Sequence, residues 1–261
     1  MSTEGLFAQV RGSGPAVLLV HAIGFDHRMW EEVVPALEFG HRVIAVDLRG
    51  HGASPVPPAP YTLADMADDC AALLDRLRIE RADWVGLSLG GMVGQAFALA
   101  HADRLSRLVL ANTTSSYGAA GPALWEGRKK TIREGGLAAV EEMVAARGFT
   151  DAFRADEPGK VERFMSRFLA SPAEGYLGCC DAILGLEYTQ ALSRVRAPTL
   201  VLAGELDQGT PVAMHEVLAA RIPGARLQVN PGVAHLSAME RPAQFARFVR
   251  EFLADDEIER A

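Results

Sequence analysis

The order of apolar segments predicts an α/β fold, with a mostly parallel sheet and helices on both faces. Short apolar runs with strand character alternate with longer segments of helical periodicity along the 261 residues. Hydrophobic residues make up 49% of the sequence and charged residues 23%, which is enough apolar material for a large core. A glycine-rich turn also joins one apolar run directly to a helical segment. Together these features are typical of parallel strands buried between two helical layers.

Six apolar runs predict the strands, and they are residues 16–20, 42–47, 83–87, 107–112, 198–207 and 226–232. Residues 63–79 carry apolar side chains at the three- and four-residue spacing of an amphipathic helix. Residues 241–253 predict a second amphipathic helix near the end of the chain. Because parallel strands need a crossover between them, this alternation favours parallel pairing.

The segment 118–190 interrupts the alternation. It lacks strand-like runs, its apolar periodicity is helical, and Gly and Pro separate its helical stretches. Strand-like sequence resumes at residue 198. We therefore predict one α/β core built from residues 1–117 and 191–261, with residues 118–190 inserted as a helical cap.

Composition and charge argue against several classes of protein. The net charge is -7 and the pI about 5.5, the opposite of a nucleic-acid-binding surface. The most apolar window, residues 84–100, contains four glycines, which disfavours a membrane-spanning helix. The first residues lack the basic and apolar regions of a signal peptide. Cys70, Cys179 and Cys180 show neither a disulfide framework nor metal-site spacing, so we expect free thiols in a cytoplasmic protein.

The turn GLSLG, residues 86–90, follows the strand 83–87 and precedes a helical segment. A G-x-S-x-G pattern in this context is typical of a sharp, strained turn that exposes a serine hydroxyl above the sheet. The turn also puts the N–H of Leu89 at the beginning of a helix, where negative charge is stabilised. The motif predicts that Ser88 is a nucleophile, and the alternative is a glycine-rich turn with an incidental serine.

A nucleophilic serine needs a histidine base, and three histidines lie downstream of Ser88. His101 and His215 both lie in helical patterns, where a structural or solvated role is expected. His235 instead follows a strand and a glycine, in a loop that can carry its side chain to the carboxyl edge of the sheet. We therefore predict that His235 is the base.

The acid that orients the base is expected between the serine and the histidine. Asp207 ends the strand-like segment 198–207, and Glu205 is a rival two residues earlier. The earlier segment 107–112 ends in Asn112 and offers no carboxylate there. We predict Asp207.

The loop HAIG, residues 21–24, follows the first predicted strand. Acyl transfer needs a second backbone donor for the oxyanion besides Leu89, and we predict the N–H of Ile23, in a loop kept tight by small neighbours. His21 precedes Ser88 in the chain, so we expect a structural role for it.

The loop DLRGHGAS, residues 47–54, predicts a charge-pinned glycine turn, with a second acid–base cluster as the alternative.

The motifs HAIG, DLRGHGAS, GLSLGG, GELDQGTP and GVAHLSAMERP together resemble the α/β-hydrolase superfamily, in the expected order and across essentially all of the chain outside the cap. The resemblance implies the α/β-hydrolase fold, with an eight-stranded, mostly parallel sheet and a helical lid. Matching the motifs residue by residue again gives Ser88, Asp207 and His235. It also implies an enzyme that requires no cofactor and no metal.

Within that superfamily the chain is most similar to the 3-oxoadipate enol-lactonases of bacterial aromatic degradation by the β-ketoadipate pathway. The stretches that carry this likeness are IGFDHRMW, RGHGAS, GLSLGGMVGQ, RLVLANT, SPAEGYLGCCDAI and the W-x-x-R pair Trp125 and Arg128. The first loop departs, since it reads His-Ala-Ile-Gly where those lactonases read Asn-Ser-Leu-Gly. The resemblance implies a serine hydrolase that converts a small carboxylate-bearing lactone, 3-oxoadipate enol-lactone, to 3-oxoadipate.

A carboxylate substrate needs a local cation in this acidic chain. The run RKKTIR, residues 128–133, supplies four, and the alternative is that it forms a solvated helix face. Arg128 is preferred because it lies three residues after Trp125, on the same side of a helix. Both are predicted to bind substrate.

Other functions on the same scaffold remain open. They are a carboxylesterase, a carbon–carbon bond hydrolase, a perhydrolase and, in a different class, a ligand receptor without turnover. A dehalogenase is disfavoured because position 88 is serine rather than aspartate. A small-molecule substrate is the expected partner, without nucleic acid or membrane, and the choice between monomer and homo-oligomer stays open.

Overall fold

The computed structural model describes residues 5–255. Its strands are β1 (Ala8–Arg11), β2 (Ala16–Val20), β3 (Arg42–Val46), β4 (Ala82–Leu87), β5 (Leu105–Ala111), β6 (Thr199–Gly204) and β7 (Arg226–Asn230). They form one sheet in the order β1-β3-β2-β4-β5-β6-β7. The α/β fold class is confirmed. The expected count of eight strands is wrong for this part of the chain, in which the sheet has seven.

Strand β1 is the strand of residues 5–255 that the sequence did not predict. It pairs antiparallel with β3 at one edge of the sheet, whereas the other neighbouring pairs are parallel. Its side chains are mostly exposed, so the segment has no apolar run to mark it. Each of the six predicted runs overlaps one of the strands β2 to β7.

Helices connect the strands and cover the sheet. They are α1 (Val34–Leu37), α2 (Leu63–Arg76), α3 (Leu89–Ala100), α4 (Gly121–Gly135), α5 (Glu141–Gly148), α6 (Asp151–Asp156), α7 (Pro158–Leu169), α8 (Ala173–Leu184), α9 (Val212–Arg221), α10 (Ser237–Glu240) and α11 (Pro242–Leu253). Short 3₁₀ helices occupy His27–Trp30, Ala102–Arg104, Gly118–Ala120, Leu137–Val140 and Ala191–Arg194. No helix within residues 5–255 is both long and apolar enough to cross a membrane.

The apolar pattern explains how the core forms. Strands β4 and β6 are buried along their whole length, as expected for central strands covered on both faces. Helix α2 has one buried face and packs beside α3. It begins at a capping box, in which the Thr62 hydroxyl accepts from the Asp65 N–H and the Asp65 carboxylate accepts from the Thr62 N–H.

Helices α4 to α8 follow one another between β5 and β6. Side chains from α4, α5 and α8 line a cavity together with Ser88, so these helices form part of its wall. The division into a core of residues 1–117 and 191–261 and a cap of residues 118–190 stays a prediction.

Candidate active site

Ser88 occupies the sharp turn between β4 and α3. Its backbone has φ 55 and ψ -113, a conformation that L-residues rarely adopt and that costs of order 1–3 kcal/mol. The turn is held because the Ser88 N–H donates to the Ala111 carbonyl at 2.9 Å. A Cβ at Gly86 would lie 2.2 Å from the Gly90 carbonyl oxygen, and one at Gly90 would lie 2.0 Å from the Val20 carbonyl oxygen. Both flanking positions therefore require glycine.

The structure brings Ser88, His235 and Asp207 together in one hydrogen-bonded row. The Ser88 hydroxyl lies 2.9 Å from Nε2 of His235, and Nδ1 of His235 lies 2.7 Å from Oδ2 of Asp207. Ser88 and Asp207 are buried, whereas 18% of the His235 side chain is exposed. With Nδ1–H donating to the carboxylate, Nε2 is the acceptor that faces the serine proton. This arrangement can remove a proton from Ser88 and hold it.

Asp207 is buried but remains strongly favoured as a carboxylate. Burial alone would raise its pKa, yet its contacts with His235, with the Thr210 N–H and with Asn112 hold the pKa of Asp207 well below its usual range. Oδ1 accepts from the N–H groups of Gly209 and Thr210 at 2.8 and 2.9 Å. Oδ2 accepts from the Thr210 hydroxyl at 2.8 Å. The acid is thus fixed in position and in charge.

Asn112, at the end of β5, supports Asp207 from the other side. Its Nδ2 donates to Oδ2 of Asp207 at 3.0 Å, and its Oδ1 accepts from the Ser237 hydroxyl at 2.5 Å. Asn112 has a positive φ of 45, which an asparagine tolerates better than most residues. The sequence singled out this position only as a place without a carboxylate, and the structure shows an amide that orients the acid.

The loop of residues 21–24 packs beside Ser88. The Gly90 N–H donates to the His21 carbonyl at 3.1 Å, which fastens the loop to the first turn of α3. Ala22 and Ile23 line the cavity with Ser88. Over residues 5–255, neither the Ile23 N–H nor the Leu89 N–H donates to a protein acceptor. Both amides are therefore available to an oxyanion.

Two buried imidazoles, of His21 in the loop and of His51 outside it, fix the loop of residues 21–24 through hydrogen bonds from backbone amides. Nε2 of His21 accepts from the Leu48 N–H at 2.9 Å, and Nε2 of His51 accepts from the Gly24 N–H at 2.9 Å. Burial lowers the pKa of His21, and burial together with neighbouring His21 lowers the pKa of His51 to about 3. Both rings are neutral near pH 7 and act as acceptors for backbone N–H groups.

The loop of residues 47–54 is pinned by Asp47. Its Oδ1 accepts from the backbone N–H of His27 at 2.7 Å, and its Oδ2 accepts from the Ala53 N–H at 2.9 Å. Among the described residues, Asp26, His27 and Asp47 place possible metal-ligand atoms within 4.8 Å of one another. Their carboxylates already accept from Arg28, His27 and backbone amides. These contacts favour the interpretation as a charge-pinned turn.

The rival acid and base candidates lie elsewhere. Glu205 is exposed and accepts from the Gly232 N–H at 2.8 Å. His101 ends α3 and contacts Asp68 at 2.8 Å. His215 is buried in α9, where its Nε2 accepts from the Thr113 N–H at 3.1 Å.

A cavity that is open to solvent lies over Ser88 and His235. Its wall is largely apolar, and the large apolar side chains in it are Ile23, Phe25, Leu124, Trp125, Met143, Val144 and Leu236. Tyr117 and Tyr176 add hydroxyls, and two arginines add positive charge. An apolar cavity with a few convergent polar groups is typical of a small-molecule site.

Arg128 is the member of the run 128–133 that lines the cavity. Its guanidinium carbon lies 4.8 Å from the Trp125 ring centroid, and its Nη1 donates to the Tyr176 hydroxyl at 3.2 Å. Lys129 is buried against Asp181 and lies 3.3 Å from Glu126, while Lys130 and Arg133 are exposed at the surface. In the part of the chain that the structure describes, no carboxylate lies within 4.0 Å of the Arg128 guanidinium.

Arg147 is a second cation in the cavity wall, and sequence reasoning missed it. It stands in the last turn of α5, where no local motif distinguishes it from other surface arginines of the inserted helices. Its backbone carbonyl accepts from the His235 N–H at 3.4 Å, next to the reacting side chains. Only the packing of α5 against the His235 loop reveals its place.

The fold and the serine-centred site define a class of enzyme, and a family comparison agrees with it. A model of the alpha/beta hydrolase fold matches residues 15–242. The chain belongs to the α/β-hydrolase family and is a hydrolase.

Individual members of this family, both lactonases and an esterase, are similar to the chain in sequence and structure. The chain is 35% identical to 3-oxoadipate enol-lactonase 2 of Acinetobacter baylyi over 231 residues, covering 88% of this chain and 85% of the relative. The crystal structure of the enol-lactonase from Burkholderia xenovorans LB400 is 34% identical with a TM-score of 0.92, covering 96% of each chain. A thermophilic esterase from Thermogutta terrifontis, solved with malate bound, is 32% identical with a TM-score of 0.90, covering 95% of this chain and 92% of that one. Lactonases and esterases thus share this fold and level of similarity.

Proposed function

We propose that this chain is a serine hydrolase that opens a small lactone bearing a free carboxylate, with 3-oxoadipate enol-lactone as the substrate. The observation that carries the proposal is the row from Ser88 to Asp207, opening into a cavity whose wall contains the guanidinium of Arg128. Among residues 5–255 this guanidinium has no carboxylate within 4.0 Å, and its Nη1 donates to the Tyr176 hydroxyl. Similarity to two enol-lactonases supports the same substrate.

The proposed reaction begins with attack of the Ser88 oxygen on the lactone carbonyl. His235 Nε2 takes the serine proton, and Asp207 stabilises the resulting imidazolium. The N–H groups of Ile23 and Leu89 bind the oxyanion, each donor of this kind contributing about 3–4 kcal/mol. The ring C–O bond then breaks, and His235 returns its proton to the departing enol oxygen.

The second half of the reaction releases the product. Water attacks the acyl-enzyme while His235 takes one of its protons, and the bond to the Ser88 oxygen breaks as that oxygen regains a proton. The acid that is released carries the original carboxylate and a new one, and its enol tautomerises to the ketone.

The cysteines lie buried as free thiols, in keeping with our proposal that the enzyme works in the cytoplasm.

Arg128 and Trp125 are proposed to bind the substrate carboxylate and ring. The test compares kcat/KM for the anionic enol-lactone and for neutral p-nitrophenyl acetate in Arg128→Gln. We expect about a 30-fold loss on the lactone and less than threefold on the ester, since a hydrogen bond to a charged group contributes about 1.5–3 kcal/mol.

Two control variants accompany this test. Lys130→Gln removes the same charge from the exposed face of α4 and should leave both rates within twofold. Ser88→Ala should abolish hydrolysis of both compounds. Equal losses on lactone and ester in Arg128→Gln would contradict carboxylate recognition by this residue, and full activity of Ser88→Ala would contradict the mechanism.

A carboxylesterase is the second candidate. The favouring observations are the apolar cavity and the first loop, in which Ala22 and Ile23 replace the Ser and Leu that the resembling lactonases carry. A wild-type kcat/KM that is higher for neutral esters than for the enol-lactone would select it.

A further inference from the structure

We infer that Arg147 is a second anion-binding residue of the cavity, and that the cavity therefore binds linear dicarboxylates in preference to monocarboxylates. Arg147 extends from α5 and Arg128 from α4, and both line the cavity that contains Ser88 and His235. Within residues 5–255, neither guanidinium has a carboxylate within 4.0 Å. Each of these two guanidiniums can form a charge-assisted hydrogen bond with a carboxylate of the ligand.

The two positive charges act on the same part of the cavity. Burial raises the pKa of the Tyr117 hydroxyl and the Asp207 carboxylate acts in the same direction, whereas the charges of Arg128 and Arg147 both lower it. Tyr117 itself lines the cavity and stacks edge-on against Trp125, with ring centroids 5.7 Å apart. A ligand beside this hydroxyl therefore lies within the field of both arginines.

The backbone of Arg147 is fixed relative to the reacting groups. Its carbonyl accepts from the His235 N–H at 3.4 Å, and the Gly148 carbonyl accepts from the Leu236 N–H at 2.8 Å. A Cβ at Gly148 would lie 2.7 Å from Leu236 Cδ1, so the main chain of α5 and the Leu236 side chain approach each other closely here. The guanidinium thus extends from a main chain that is attached to the histidine loop.

The charge of the product matches this pair. The inference rests on the proposed function in one respect, namely that the bond broken is the ring ester of a lactone that already bears a carboxylate. Hydrolysis with one water then leaves two carboxylates on one carbon chain, and the new one forms at Ser88, beside the His235 loop to which the Arg147 main chain is hydrogen-bonded. Arg128 accounts for the first charge and Arg147 for the second.

The experiment measures binding by isothermal titration calorimetry with adipate and hexanoate, six-carbon acids with two carboxylates and one. We expect the wild-type chain to bind adipate at least tenfold more tightly than hexanoate. Arg147→Gln should raise the Kd of adipate about tenfold and remove this preference, since it removes a charge-assisted hydrogen bond. Arg147→Lys, which keeps the charge, should retain part of the preference, and Lys130→Gln should leave both Kd values within twofold.

Three results would overturn the inference. They are equal affinities for adipate and hexanoate in the wild type, an adipate Kd unchanged in Arg147→Gln, and no binding of either acid at millimolar concentration. Because the measurement needs no turnover, it is separable from the proposed function. A preference for adipate without lactone hydrolysis would leave the inference standing and refute the proposed substrate, and lactone hydrolysis without the preference would do the reverse.

Discussion

Replacing His51 by glutamine is expected to weaken the dependence of protein stability on pH. The His51 ring is fully buried, and its pKa is lowered from the ordinary value of 6.5 to about 3. As the pH falls below about 6.5, the unfolded chain takes up a proton at this position while the folded protein does not. The folded state therefore loses relative stability as the pH falls, and the loss is complete below about pH 3.

The magnitude follows from the two pKa values. Between pH 7 and pH 5 the unfolded His51 becomes mostly protonated and the folded ring stays neutral, which corresponds to about 2 kcal/mol of unfolding free energy. Glutamine does not titrate, and its side-chain oxygen can still accept from the Gly24 N–H. Wild type should thus lose about 2 kcal/mol more than His51→Gln over this interval. His21, whose ring centroid lies 4.8 Å away, is present in both proteins, so its own contribution largely cancels.

Urea unfolding followed by tryptophan fluorescence at pH 7, 6 and 5 provides the assay. Cys179→Ala is the matched control, because Sγ of Cys179 lies 3.9 Å from Nδ1 of His51 and the substitution disturbs the same packing without removing the titrating ring. This control should lower stability by the same amount at each pH. Parallel losses for wild type and His51→Gln from pH 7 to pH 5 would refute the neutral, backbone-holding role of His51.

Two further predictions concern strain and the histidine loop. Ser88→Gly should raise the free energy of unfolding by about 1 kcal/mol relative to Ser88→Ala, because glycine adopts φ 55 and ψ -113 without strain; equal thermal midpoints for the two variants would show that the turn stores no strain. Glu240→Ala should destabilise the fold by about 2–4 kcal/mol, since the buried carboxylate accepts from the Thr150 hydroxyl and N–H and from the Ala234 N–H. It should also lower kcat through the adjacent His235, with Glu240→Gln as the milder control, and unchanged urea midpoints would contradict this account.

The central strands were predictable because burial on both faces leaves continuous apolar runs in the sequence. Strand β2 spans Ala16–Val20, as its run predicts, and β4 spans Ala82–Leu87, one residue longer than its run. Strand β1 could not be predicted in this way, because an exposed edge strand is held by backbone pairing rather than by apolar side chains. The resemblance implied eight strands, and the sheet of residues 5–255 has seven. The number of strands depends on exposed strands at the sides of the sheet, which the apolar pattern does not mark.

The candidate site divides in the same manner. Ser88, Asp207 and His235 each follow the carboxyl end of a parallel strand. The sheet topology therefore brings them together independently of how the helices between β5 and β6 pack. The contribution of Arg147 depends on how α5 packs over that edge, and no pattern within α5 encodes it. The supporting amide of Asn112 is intermediate, since its position at the end of β5 was visible in the sequence but its contact with Asp207 was not.

The attachment of Arg147 and Gly148 to His235 and Leu236 has a consequence for how such enzymes diversify. A contiguous segment such as residues 118–190 can be replaced by the matching segment of a relative with only two junctions in the chain. Here the inserted main chain also supplies hydrogen-bond acceptors to the loop that carries the histidine. The predicted division between core and cap is thus crossed by hydrogen bonds to the loop that carries His235. A chimera that imports foreign helices at residues 118–190 must also import a partner for His235, or it will change the rate of reaction together with the choice of substrate.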